Sequence, residues 1–413
     1  MWLDKVSEKR ANLLGSPNFG YRHYLKSFDS KGSPGMDLSC VRLIYNGAEP
    51  ISAPLCEEFL DKLAPHGLPR NSMYACYGLA EASLAVSLLE PGSEFSYVEV
   101  ERAQLRIGET VPLVQEATAN SISFVLNGLP VEHCQVKVGD EDGNDLGEHV
   151  VGEIQLKGPN VTAGYYADAA LNDELFTPDG FLKTGDLGFL HEQQVVITGR
   201  LKDVIFVNGL NFYPHDLETI ALELSEQSQH LELGKLVVSA TRPAGAEHDD
   251  ILVFVLFRGA LEDFVATARG VAHTINEHAG VEVKHVIPVR RIPKTTSGKI
   301  QRRLLEADYL AGEYADCLEQ LHALLHPAVA SPATGALNSM AQRVLDICHV
   351  VTESNELGVD DNLFDIGFSS LDLAQIHEQI DQLYPGVLDV TEIFDHPTVA
   401  ELAELLETKI AQA

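Results

Sequence analysis

Lys299 stands in Ile292-Pro-Lys-Thr-Thr-Ser-Gly-Lys-Ile-Gln-Arg-Arg303, a polar loop with a glycine beside one cation. A loop lysine next to Gly298 can reach a phosphate or carboxylate that a helix-borne lysine cannot. The segment is not a nucleotide-binding P-loop, which needs a glycine five residues before Gly298 and Ser or Thr after the lysine; here Ile300 follows. A solvated basic turn is the other reading that these residues leave open. A second reactive candidate lies in Asp361-Asn-Leu-Phe-Asp-Ile-Gly-Phe-Ser-Ser-Leu-Asp-Leu373, where Ser369 or Ser370 precedes an apolar helix and by itself reads as an N-cap.

The elements that must position these residues follow from apolar spacing. From Val41 to about Arg200, short apolar runs bounded by Gly, Pro and Asn (41–45, 152–156, 195–197) alternate with amphipathic stretches such as 52–63. This predicts mixed α/β layers with β-rich additions. Beyond Arg200 the pattern predicts a small α/β unit: strand 204–207, helix 217–225, strands 235–240 and 251–256, helix 264–278, strand 283–289 and a helix over 302–326. Residues 327–336 read as a linker of small residues with two prolines. Helical spacing returns at 337–351, 371–383 and 399–406, which predicts an all-α bundle.

Lys299 also has company in fixed order. Tyr77-Gly-Leu-Ala-Glu81, Phe181-Leu-Lys-Thr-Gly-Asp-Leu187, and Gly199-Arg-Leu-Lys-Asp-Val-Ile205 with Gly209, Asn211, Pro214 and Glu218 lie upstream of Pro293-Lys-Thr-Thr-Ser-Gly-Lys-Ile-Gln-Arg302. Together they resemble the ordered motifs of the adenylate-forming (ANL) superfamily, which includes acyl-CoA synthetases, peptide-synthetase adenylation domains and luciferases. The spelling Tyr-Gly-Leu-Ala-Glu-Ala, the segment Pro17-Asn-Phe-Gly-Tyr21 and an insertion-like stretch over about 92–123 resemble the fatty acyl-AMP ligase branch. Ala80 stands where many members carry threonine.

The resemblance implies a fold and a set of roles. The fold is multidomain α/β plus all-α: a partial large adenylation domain over 1–200, a small C-terminal adenylation subdomain over 201–326, the linker 327–336, and a four-helix carrier bundle over 337–413. Joining a carboxylate to the α-phosphate of ATP requires neutralised charge and alignment. By resemblance Lys299 bridges those two anions and Glu81 binds Mg²⁺. Asp186 and Arg200 contact the ribose, while Gly47, Ala48 and Glu49 of Asn46-Gly-Ala-Glu-Pro50, with Tyr77 and Gly78, hold the adenine. Lys202 is the hinge about which the small subdomain swings between adenylation and thiol transfer. Read without the family, Asp186 could instead cap a turn and Arg200 could pair with Asp203.

Asn-Leu-Phe-x-x-Gly-x-x-Ser-Leu resembles the attachment site of acyl and peptidyl carrier proteins, and Glu392-Ile-Phe-Asp-His-Pro-Thr-Val399 is also carrier-like. Ser370 would then carry 4'-phosphopantetheine, with its phosphodiester against the positive end of a helix. Ser369 stands where that family usually has aspartate. The implied function is ATP-dependent activation of a fatty acid and transfer to the fused carrier, feeding polyketide, nonribosomal peptide or lipid synthesis. An inert adenylation remnant that serves as a carrier or docking module is the alternative. Implied partners are a phosphopantetheinyl transferase, downstream synthase or modifying enzymes, and a missing N-terminal half, because the family's phosphate loop with its Pro-Lys-Gly ending is not found.

Composition bounds the rest. With 29 basic and 61 acidic residues among 413, the formal charge is −32, which speaks against nucleic-acid or anionic-membrane binding. Six cysteines without Cys-x-x-Cys spacing predict a reducing compartment and no structural metal. Without a membrane-length apolar run or a signal pattern, the expected location is cytoplasmic.

Overall fold

The structure is a computed structural model. It describes residues 2–32, 35–118, 120–222, 231–232, 234–243, 245–246, 248–295, 299–325, 339–352, 357–363, 368, 370–389, 392–393 and 396–412. Thus Gly298, Ser369 and the expected linker lie outside the described residues. Two compact units are present: Met1–Arg258 with Val271–Ala311, and Gly259–Gly270 with Gly312–Ala413.

The first unit opens with α1 (Trp2–Lys9), β1 (Leu13–Gly15), α2 (Asn18–Lys31), β2 (Leu43–Asn46), α3 (Ala53–Leu63) and β3 (Met73–Gly78). β1, β2 and β3 pair in parallel, and helices make the crossovers that parallel neighbours require. α3 begins where the Ser52 hydroxyl accepts the Leu55 amide at 3.4 Å, with proline in its first turn. Its Leu55, Cys56, Phe59, Leu60 and Leu63 recur at helical spacing and are buried. Leu14, Ile44, Met73 and Ala75 seal one face of the strands into a core with Tyr21, Tyr24 and Phe59. The other face is open at its β1 side: Leu13 is 55% and Tyr45 39% exposed, whereas Tyr74 on β3 is 6%.

β4 (Ala85–Leu88) runs antiparallel to β3. β5 (Tyr97–Glu101), β6 (Leu113–Val114) and β7 (Ser121–Val125) then form a separate antiparallel sheet in the order β6-β5-β7, within the stretch read as an insertion. β8 (Leu129–Pro130) returns to pair with β4. A four-stranded antiparallel sheet follows, from β9 (Gln135–Gly139), β10 (Gly152–Lys157), β11 (Leu182–His191) and β12 (Gln194–Arg200), with α4 (Ala169–Leu175) between β10 and β11.

After Arg200, β13 (Ile205–Val207) and β14 (Leu210–Phe212) form a hairpin. Its two-residue turn, Asn208-Gly209, has φ of 51° and 78°, the left-handed pair that Asn-Gly supplies at low cost. α5 (Pro214–Leu222) starts three residues before the predicted helix because Pro214 is preset for the first helical position. β15 (Leu236–Thr241), β16 (Asp250–Leu256), α6 (Leu261–Ala279) and β17 (Val283–Val289) follow, with β16 and β17 parallel across the α6 crossover. The single helix expected over 302–326 is two, α7 (Arg302–Leu310) and α8 (Ala315–Leu325). Gly312, at φ 79°, takes the left-handed conformation between them that a continuing helix cannot.

The small β6-β5-β7 sheet is bound to the segment that follows Lys202. The Arg102 guanidinium donates to both Asp216 carboxylate oxygens on α5, at 2.6 and 3.1 Å, with Asp216 buried and Arg102 largely so. Phe124 of β7 meets Tyr213 edge-on at 6.1 Å in a shared core. Arg102→Ala is expected to destabilise the unit by about 3–5 kcal/mol in denaturant unfolding, because it leaves a buried carboxylate without its cation. Joint replacement of Arg102 and Asp216 by apolar residues should restore most of that loss.

In the second unit, α9 (Ser339–Thr352), α10 (Ser370–Leu383) and α11 (Val399–Gln412) are the described helices of the expected bundle. They enclose Val344, Cys348, Leu373, Ile376, Ile380, Leu402 and Leu406. Among the described residues, no helix is long and apolar enough to cross a membrane. All six cysteines are free thiols.

Candidate functional site

Two loops leave the carboxyl ends of the adjacent parallel strands β2 and β3, the position where open α/β sheets place ligands. Gly47, the first residue after β2, lies so close to β3 that a Cβ would sit 2.7 Å from the Cys76 carbonyl oxygen. Ala48 then takes a left-handed φ of 69°. Gly78 is equally required, since a Cβ there would be 1.8 Å from the Leu84 carbonyl oxygen. The Pro17–Tyr21 segment supports the first loop: Asn18 Nδ2 donates to the Pro50 carbonyl at 2.6 Å, and the Tyr21 hydroxyl donates to the Tyr45 carbonyl at 2.8 Å.

Asp186 on β11 is 7% exposed and lies opposite Arg200 on β12. The Tyr77 hydroxyl donates to its Oδ2 at 2.7 Å, and Arg200 Nε lies 3.2 Å from Oδ1. Arg200 therefore pairs with Asp186, and no ion pair joins it to Asp203 among the described residues. Glu153 on β10 accepts the Gly185 amide at 2.8 Å and fixes the turn before Asp186. Burial raises the Asp186 carboxyl above its ordinary range, opposed by the Tyr77 hydroxyl and the charges of Arg200 and Lys299. The same burial, with Asp186 beside it, raises the Tyr77 phenol and keeps it a donor. Two ligated oxygens still leave lone pairs for further hydroxyl donors, so this carboxylate suits a vicinal diol such as a ribose.

Lys299 is exposed at the base of a loop whose stem is closed by the Lys294–Ile300 bridge. The Thr295 amide donates to the Lys299 carbonyl at 2.8 Å, and the Lys299 amide to Thr295 Oγ1 at 3.0 Å. Three residues on, Arg302 anchors the loop to α5: its Nη2 donates to Glu218 Oε1 at 2.5 Å, and its Nε to the Val238 carbonyl at 3.1 Å. The charge of Lys299 acts on Asp186 and also on Glu49, whose carboxyl is raised by surrounding protein against the Asn18 and Phe19 amides, Lys294 and Lys299. Glu49 itself stays open to water. Tyr77 near the end of β3, Asp186 on β11 and Arg200 at the end of β12 thus come together, and the charge of Lys299 acts on Asp186 and on Glu49 in the loop after β2.

Glu81 follows β3 in a single 3₁₀ turn, Ala80–Ala82, and is half-buried. Its Oε1 accepts the Tyr165 hydroxyl at 2.5 Å. Lys202 lies exposed in the turn Leu201–Asp203 that leads out of β12. Ser370 is the first residue of α10, where the helix dipole favours a phosphodiester. Sequence reasoning missed Tyr165, Glu153 and the Glu218–Arg302 pair. The available signal for Tyr165 was an aromatic pair, Tyr165-Tyr166, in a loop otherwise of mostly small residues; separations of 32 residues for Glu153 and 84 for Glu218–Arg302 left none.

Residues 1–166 match the family of AMP-binding enzymes, and residues 338–406 match the phosphopantetheine attachment site. The long-chain fatty acid AMP ligase FadD32 of Mycolicibacterium smegmatis is 29% identical over 365 residues, which is 75% of this chain and 56% of that protein. The medium-chain fatty acid acyl-carrier-protein ligase JamA of Moorena producens is 30% identical over 324 residues, 75% of this chain and 54% of that one. The chain spans about half the length of the curated relatives it matches. Among solved structures, a fatty acyl-adenylate ligase from a study of the E. coli and L. pneumophila enzymes aligns with a TM-score of 0.67 at 31% identity, covering 76% of this chain and 56% of that one. The fold, carrier region included, is that of the McyG A-PCP structure, with a TM-score of 0.77 at 24% identity over 98% of this chain and 60% of that one. The chain belongs to the adenylate-forming superfamily, and joins part of its AMP-binding fold to a phosphopantetheine carrier domain.

Proposed function

We propose that the chain takes part in activating a fatty acid with ATP and in passing the acyl group to a 4'-phosphopantetheine thiol on Ser370. The observation that carries this reading is the buried Asp186 held between Tyr77 and Arg200, with the charge of Lys299 acting on it and on Glu49 in the loop after β2. Asp186 and Arg200 hold the ribose hydroxyls. Gly47, Ala48 and Glu49 with Tyr77 and Gly78 line the adenine, and Lys299 offsets charge where the fatty carboxylate meets the α-phosphate. Glu81 is the carboxylate for Mg²⁺, a hard cation that uses one or two carboxylates together with nucleotide phosphates and there neutralises phosphate charge.

Residues 1–200 and 201–326 act as the large and small adenylation parts, Lys202 is the pivot between them, and 337–413 is the carrier. Tethering on one chain gives the carrier thiol an effective concentration on the order of millimolar, which favours it over free thiols. The partners are a phosphopantetheinyl transferase and a downstream synthase or modifying enzyme. Six free thiols support a reducing, cytoplasmic setting.

ATP–pyrophosphate exchange with medium and long fatty acids tests the reading, with and without a candidate phosphate-loop polypeptide. Fatty-acid-dependent exchange in either arm is expected. No exchange in either, with Ser370 acylated normally by a separate ligase, would leave the chain a carrier and docking module.

A further inference from the structure

The loop from Val161 to Asp168 is built around one hydroxyl. Gly164 has a φ of 131°, and a Cβ there would be 2.7 Å from Asn172 Oδ1. That side-chain amide, from α4, clamps the next residue twice: it accepts the Tyr165 amide at 2.7 Å and donates to the Tyr165 carbonyl at 2.9 Å. Asp168 caps α4 by accepting the Leu171 amide at 3.2 Å, which fixes the helix that carries Asn172. Thr162 completes the frame by donating its amide to the Glu81 carbonyl at 2.7 Å. The outcome is a Tyr165 hydroxyl 2.5 Å from Glu81 Oε1, joined across 84 residues of sequence.

This contact is a poor candidate for a packing device. Tyr165 is 40% exposed and Glu81 is half-buried, so neither ring burial nor a desolvated carboxylate calls for it. What it does is orient. One oxygen of Glu81 is held, and the other, Oε2, accepts no hydrogen bond among the described residues. A carboxylate with one oxygen tied by a neutral donor and the other unclaimed suits binding of a hard cation through a single oxygen.

The geometry points to Tyr165 as a positioning residue that presents Glu81 Oε2 to the divalent cation accompanying the nucleotide. This rests on the reading of Glu81 as a cation-binding carboxylate. Outer-sphere hydrogen bonds of this kind are worth about 10–100-fold in metal affinity.

The test is nucleotide affinity of the full chain, measured by calorimetry with ATP at graded Mg²⁺ and again in chelator. Tyr165→Phe is expected to shift the Mg²⁺ concentration for half-maximal enhancement upward by about 10-fold or more, with ATP affinity in chelator and the thermal midpoint unchanged. In a Glu81→Gln background the same substitution should have no further effect. An unchanged Mg²⁺ midpoint in Tyr165→Phe overturns the inference while leaving Glu81 in place, as does an equal loss of affinity in chelator, which marks a structural role. Wild-type ATP binding that ignores Mg²⁺, or Glu81→Gln that keeps full Mg²⁺ enhancement, overturns the reading of Glu81 and the inference with it.

Discussion

Incubated with a phosphopantetheinyl transferase and coenzyme A, the chain is expected to gain the mass of one phosphopantetheine group, and Ser370→Ala to gain nothing. The whole effect rests on one hydroxyl, so the loss is complete and not graded. Ser370 opens α10, whose positive end favours the incoming phosphodiester. Leu373, Ile376 and Ile380 bury the inner face of that helix, so its start is held by the bundle core. Ser369→Ala is the control for the neighbouring serine and should be modified as the wild type is. Modification that survives Ser370→Ala, or an unchanged wild-type mass, would remove the carrier assignment.

The second large effect is on Lys299. Its charge acts on Glu49 and Asp186, and Arg302, three residues on, is tied to Glu218 on α5. A preorganised group that stabilises a developing negative charge is worth on the order of 10²–10³-fold in rate. Lys299→Ala is therefore expected to lower acyl-adenylate formation by about that factor or more. Transfer from preformed acyl-AMP to the carrier thiol should be nearly unaffected, because that step forms no new bond to the α-phosphate. The split is read by supplying acyl-AMP directly and following thioester formation. Equal loss in both steps would show that Lys299 supports the fold or the acyl pocket and not adenylation.

Much of this is legible in the sequence, for identifiable physical reasons. Close approach can be met only by glycine, so Gly47 and Gly78 stand out in sequence and prove to be steric requirements in space. Strands β15 and β16 were readable because near-continuous apolar runs are what a buried sheet needs. The break at Gly312 was not, since the apolar spacing of 302–326 is preserved across it and only the backbone shows the left-handed turn. Arg200 illustrates the same limit at the site. Asp203 is nearer in sequence, yet the β11–β12 register delivers Asp186, and register is a tertiary outcome. Tyr165 and Arg102 act on partners 84 and 114 residues away, and nothing in a single sequence links such residues.

The most direct measurement is intact mass of the holo chain after incubation with ATP, Mg²⁺ and a medium or long fatty acid, with and without a candidate phosphate-loop polypeptide. The account predicts an added acyl group that hydroxylamine releases as a thioester, absent without ATP, absent in Ser370→Ala and strongly reduced in Lys299→Ala. An acyl group that appears at full yield in Lys299→Ala, or holo chain that stays unacylated here while a separate ligase loads it, would contradict it.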